Sequence, residues 1–200
     1  VFLAVKPQFL EEVLDEIKDN VKEGQIFISI APGKTLQWLG EHLGEGTKII
    51  RTMPNTPAMV GEGMTALCVN DLVTEEETAL AVKLCNTFGK SEVIPEHLMD
   101  AVVGVSGSSP AYVFMFLEAM ADAAVADGMP RAQAYKFAAQ AVLGSAKLML
   151  ETGKHPGELK DMVCSPAGTT IQAVRVLEEK GLRSAVIEAQ LECVKKAKGM

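Results

Sequence analysis

Short apolar runs alternate with longer periodic stretches through the first half of the chain. Residues 1–5, "VFLAV", are continuously apolar and short, which predicts a buried strand. Pro7 opens a stretch to about Val21 in which Phe9, Leu10, Val13, Leu14 and Ile17 share one helical stripe. Residues 25–31 ("QIFISIA") predict a second strand, 35–43 a short helix, and 47–53 ("TKIIRTM") a third strand. Residues 64–70 ("MTALCVN") alternate as a fourth. Caps at 71–74 then precede a helix over 75–88 that closes on Gly89, and residues 90–95 form a last strand. Strands alternating with helices predict a largely parallel sheet covered by helices.

From about Leu98 the pattern is helical only. Ser109 and Pro110 have the types of an N-cap and first helical position, and the helix they open runs to Gly128. Between Ala111 and Val125 its charges are Glu118 and Asp122, four apart on one narrow stripe. A helix apolar nearly all round must be buried nearly all round. A helical unit of this size cannot enclose its own central helix, so partner-chain helices are expected to do so in an intimate homodimer; a compact monomeric bundle is the alternative. Further helices are predicted over residues 130–152, 156–163, 170–179 and 182–198.

Composition narrows the classes. The chain has 200 residues, 48% apolar and 22% charged, as expected of a globular protein. A net charge of −7 without a basic cluster excludes nucleic acid as a partner. Cys68, Cys85, Cys164 and Cys193 form no CxxC pair and read as reduced thiols of a cytoplasmic protein; with His42, His97 and His155 they offer no metal-ligand spacing. The longest uncharged run, residues 101–117, is interrupted by Gly104, Gly107, Ser108, Ser109 and Pro110, so no membrane span is expected. The chain starts abruptly on a strand-like run, which implies that a β-α-β segment precedes Val1. A GxGxxG dinucleotide loop is absent from these 200 residues and would lie there.

Ligands of open parallel sheets lie beyond the carboxyl ends of the strands. Those ends carry "AVKPQ" (4–8), "IAPGK" (30–34) and "MPNTP" (53–57), small and proline-rich turns in which Lys6 and Asn55 offer polar groups. Each alone reads as an ordinary turn; together they point to a ligand edge. In "SPAGTT" (165–170), small residues and hydroxyls crowd the start of a helix whose bare amides suit a carboxylate or phosphate, although a capped helix start without ligand has the same residue types. Glu96, at the join of the halves, either faces the cleft or is a solvated charge.

"FLAVKPQ", "RTMPNTP", "DAVVGVSGSSPAYVF", "DGMPRAQA" and above all "HPGELKDMVCSPAGTTIQAVRVLEEKGLRSAVIEA" together resemble the pyrroline-5-carboxylate reductases, over all 200 residues. The resemblance implies an α/β Rossmann-like N-terminal domain (residues 1–97, its first β-α-β segment apparently missing) and an all-α substrate-binding and dimerisation domain (98–200), with dimers that often build larger rings. It implies hydride transfer from NADPH or NADH to 1-pyrroline-5-carboxylate, giving L-proline, the last step of proline biosynthesis. Ala4, Val5, Lys6, Pro7, Ala31, Pro32 and Asn55 would lie along the cofactor. Ser165 and the backbone of Gly168 and Thr169 would hold the substrate carboxylate, Thr170 would hydrogen-bond the ring nitrogen as the catalytic contact, and Glu96 would stand near the substrate.

Many members have SPGGTT and GSGPAY where this chain has SPAGTT and GSSPAY, changes that are costly if either position needs a positive φ. Two rivals remain: a β-hydroxyacid-dehydrogenase-like reductase, which would use a helix lysine such as Lys136 or Lys147, and a non-catalytic dimeric helical scaffold.

Overall fold

A computed structural model of the chain describes residues 1–199. It divides into two compact units. One is Val1–Pro110 joined by the segment from Gln190 onward; the other is Ala111–Ala189.

In the first unit, β1 (Phe2–Leu3), β2 (Ile26–Ser29), β3 (Lys48–Met53), β4 (Gly63–Val69) and β5 (Gly89–Val93) form one sheet in that order. Helices α1 (Pro7–Ile17), α2 (Leu36–Leu43) and α3 (Glu75–Cys85) make the connections. β1–β2, β2–β3 and β4–β5 pair in parallel, whereas β3 and β4 are antiparallel. The β3–β4 connection holds only the single turn Thr56–Val60, too short for a crossover helix, so the chain must return in the opposite direction.

Strand alternation sorts the core. Phe27 and Ile49 pack with Leu10, Leu14, Leu39 and Leu43 on the α1/α2 face, while their neighbours Ile28 and Ile50 pack with Leu67, Ala81 and Cys85 on the α3 face. α3 starts on a capping box in which Thr74 and Glu77 satisfy each other's backbone N–H groups. It ends at Cys85, earlier than its pattern predicts, because Gly89 opens β5 instead of closing the helix.

Ser109 is not an N-cap. The chain is already helical upstream, through α4 (Met99–Val102) and a π-turn at Val103–Gly107, and runs on as α5 (Ser109–Ala126). The Ser109 hydroxyl donates back to the Val105 carbonyl at 2.5 Å. Pro110 has no N–H for the Ser106 carbonyl four residues back; Asn55 Nδ2 donates to that oxygen instead, at 3.1 Å. A widened turn at this point accommodates the proline without breaking the helix. By length and composition alone, Glu96–Ala126 is apolar enough to cross a bilayer.

The second unit carries most of α5, then α6 (Arg131–Thr152), α7 (Pro156–Val163), α8 (Thr169–Glu179) and the start of α9 (Leu182–Lys198). α6 closes on Gly153 in the left-handed region, and His155 caps α7 by accepting from the Gly157 N–H at 3.1 Å. Ala121, Ala134 and Ala138 are the buried residues of α5 and α6, and α7 and α8 have none. Phe116, Phe137 and Leu150 stand exposed. The apolar surface that predicts a buried central helix is thus present, and one chain does not cover it.

Candidate functional site

The residues singled out in the sequence fall into two groups, one in each unit. In the second unit, α7 ends at Val163 and the chain turns through Cys164–Gly168 into α8. Gly168 is the N-cap, and no side chain caps the helix. The hydroxyls of Ser165, Thr169 and Thr170 make no hydrogen bond to any described residue. Bare amides, three free hydroxyls and the positive end of the dipole therefore lie together at the start of α8, and no acidic residue of the first turn neutralises them.

The loop is shaped to keep that helix start open. Gly168 has φ −73°, which any residue adopts, but a Cβ there would run into Ser165 Oγ and lie 3.1 Å from the Ser165 carbonyl oxygen. That oxygen accepts the Gly168 N–H at 3.0 Å, closing a tight turn. Ala167 has φ +58° and is the described non-glycine residue in the left-handed region, so the alanine of SPAGTT does sit where a positive φ is required. Ser109, the other departure, is the first residue of the right-handed helix α5 and carries no such cost. Ala167→Gly is expected to raise unfolding stability by about 1 kcal/mol, the relieved strain less the entropy that glycine adds to the unfolded chain. A urea midpoint at or below the parent's, with unchanged m, would contradict this.

In the first unit, β1, β2 and β3 run parallel, so the turns after them share one sheet edge. This gathers Ala4, Val5, Lys6 and Pro7, Ala31 and Pro32, and Asn55. α1 begins at this edge with Pro7 at its first position and no side-chain cap from Lys6. An uncapped helix start beside small turns fits a flat, anionic dinucleotide. Asn55 is partly engaged elsewhere: besides donating to Ser106, its Oδ1 accepts the Met64 N–H at 2.9 Å. It shapes the turn and keeps one amide hydrogen and one oxygen lone pair for a ligand.

Glu96 is half-buried and not a free charge. Its Oε1 accepts from Arg51 Nη1 at 3.0 Å and from the Leu36 N–H at 2.7 Å, at the first residue of α2. Both partners lie in the dinucleotide-type unit. The Arg51 side chain is 7% exposed. Nearby, burial and then the Glu96 charge push the Cys68 thiol up to about 12, with Arg51 opposing. Sequence reasoning passed over Arg51, although an arginine inside an otherwise apolar strand signals a buried cation with a partner. That partner is 45 residues away and could not be named from the pattern.

Comparison with known proteins follows the same lines. A family model described as pyrroline-5-carboxylate reductase dimerisation matches residues 96–200. The chain is 62% identical over 197 residues to pyrroline-5-carboxylate reductase of Escherichia coli (strain K12), an alignment covering 98% of this chain and 73% of that protein. Among solved structures, the Coxiella burnetii pyrroline-5-carboxylate reductase superposes with a TM-score of 0.93 at 37% identity, covering 100% of this chain and 74% of that one. The Plasmodium falciparum pyrroline carboxylate reductase, solved with NADP bound, gives 0.92 at 32% identity, covering 99% and 75%.

Proposed function

The chain belongs to the pyrroline-5-carboxylate reductase family, and on that premise we propose that it reduces 1-pyrroline-5-carboxylate to L-proline with a hydride from a nicotinamide dinucleotide. The observation that carries the substrate assignment is the open start of α8, where unpaired amides and three unengaged hydroxyls lie together. The fold is one that binds a dinucleotide. Of the two reductants, NADPH is supported by the NADP in the Plasmodium relative.

When bound, the dinucleotide supplies the hydride; the tasks of the protein are binding and orientation. The substrate is a cyclic imine with a carboxylate beside the ring nitrogen. Ser165 and the Thr169 amide hold the carboxylate at the helix tip, where charge-assisted hydrogen bonds are strongest; the Gly168 N–H is already given to the Ser165 carbonyl and shapes the turn instead. That anchorage brings the ring nitrogen to Thr170. The Thr170 hydroxyl accepts from the protonated iminium and afterwards serves the amine of the product, so one group steadies both states. The iminium is the better hydride acceptor, because the positive nitrogen draws electrons from the adjacent carbon. No strong acid or base is required, and fixing the ring supplies the rate advantage.

Thr170→Ala is expected to lower kcat/KM about ten- to thirtyfold, split between a higher KM and a lower kcat, with the fold retained. Steady-state kinetics at saturating NADPH measures it, and parent-like constants would remove Thr170 from the mechanism. The dehydrogenase-like alternative is not favoured. It would need a helix lysine at the site, but Lys136 and Lys147 are exposed on α6, and Lys147 lies 3.6 Å from Glu151.

The helical region, which matches the dimerisation model, assembles with a second copy. We take that copy, and not lipid, to cover the exposed faces of α5 and α6. The compartment we propose is the cytoplasm, consistent with four free thiols of which Cys68 and Cys85 are buried.

A further inference from the structure

We propose that Glu96 is a positioning residue for the dinucleotide: it clasps the exit of the turn at residues 31–34 onto β3. The proposal rests on the assignment of Ala31 and Pro32 to the cofactor edge, and it gives Glu96 a task that the family resemblance does not.

The turn joins β2 to α2 and is held at both ends by polar contacts. At its entry, Ser29 Oγ accepts the Ala31 N–H at 3.3 Å, and Thr52 Oγ1 donates to the Ser29 carbonyl at 3.0 Å. At its exit, Glu96 Oε1 accepts the Leu36 N–H and the Arg51 guanidinium together. Arg51 and Thr52 are consecutive on β3, and their side chains leave opposite faces of the sheet. A single strand therefore pins both ends of the turn. Between the pins the backbone reverses through Gly33 at φ +79°, a soft point that leaves the path of Ala31 and Pro32 dependent on its anchors.

A neutral residue in place of Glu96 would still accept the Leu36 N–H. It would lose the charge that balances the positive end of α2 and the buried Arg51 cation. The clasp would loosen at its exit, while the entry contacts and the helix tip at α8 stay untouched. The cost falls on the dinucleotide and not on the imine.

The test measures the NADPH dissociation constant of the intact chain by nicotinamide fluorescence, alongside steady-state constants and thermal midpoints. Its subjects are the parent, Glu96→Gln, and the double variant Arg51→Met with Glu96→Gln. The expected result for Glu96→Gln is an NADPH dissociation constant raised about tenfold, with the imine KM at saturating NADPH within about twofold of the parent. The double variant removes the unpaired buried cation, so its midpoint should return toward the parent's while its NADPH affinity stays weak. That split separates positioning from mere stability, and the double variant carries the test if the single one does not fold.

An unchanged NADPH constant in Glu96→Gln overturns the proposal. So does a double variant that regains both stability and affinity, or a rise confined to the imine KM. A parent that binds NADPH but does not reduce the imine defeats the proposed substrate and leaves the clasp standing. A parent that binds no dinucleotide defeats both.

Discussion

Replacing Gly168 by alanine is expected to cut kcat/KM for the imine acid about a hundredfold while the thermal midpoint moves by only a few degrees, at about 3 kcal/mol for the lost carboxylate contacts. The backbone is not the cause, because φ −73° suits alanine. The cause is the Cβ, which would occupy the place of Ser165 Oγ and press on the Ser165 carbonyl oxygen. Pushing that hydroxyl aside removes one hydrogen bond to the carboxylate and tilts the amides that provide another. α8 keeps its remaining turns, so stability changes little. Kinetics and a thermal melt on the same preparation separate the two effects.

A further comparison ties the loss to the hydroxyl. In a Ser165→Ala background the added methyl meets no Oγ, so Gly168→Ala should cost much less there than in the parent. Strong non-additivity of this kind is the signature of two changes acting through one group. If the two costs simply add, or if Gly168→Ala leaves kcat/KM intact, the carboxylate is held elsewhere.

What the sequence made legible was what depends on near neighbours. The strands at β2 and β3 follow from short apolar runs, and α1 from a five-residue stripe behind a proline. The SPAGTT loop stood out because its small residues and hydroxyls are contiguous, and its one oddity, the left-handed Ala167, followed from comparing residue types. Distant partners decided the rest. Ser109 and Pro110 have the form of a cap, yet Asn55, far upstream, supplies the donor that lets the helix continue through the proline. Glu96 looks like a junction charge until Arg51 and Leu36 are found on it. The reversal at β4 was hidden by prolines that serve equally well in a ligand turn and in a short return. Each omission concerns a hydrogen bond between residues far apart in the chain, for which the local pattern holds no sign.

The largest effect on assembly is expected from Phe116→Glu. Val113, Phe116 and Met120 recur at spacings of three and four, so they share a face of α5, about 200° round from the stripe that starts at Glu118. All three remain at least 36% exposed in the isolated chain. A stable association must bury such a face, and a carboxylate in the middle of it has no cationic partner on the same stretch of helix. Losing the aromatic contact and desolvating the charge together cost about 4 kcal/mol, which weakens the dimer about a thousandfold. Light scattering at micromolar concentration should then find a monomer, with activity reduced in step. Glu118→Gln, on the polar stripe, should leave the dimer intact. A Phe116→Glu chain that stays dimeric would move the interface to another face. A helix that instead faced lipid would show no dimer in detergent-free buffer for the parent either, so the same measurement distinguishes a second copy from a bilayer as the cover for this surface.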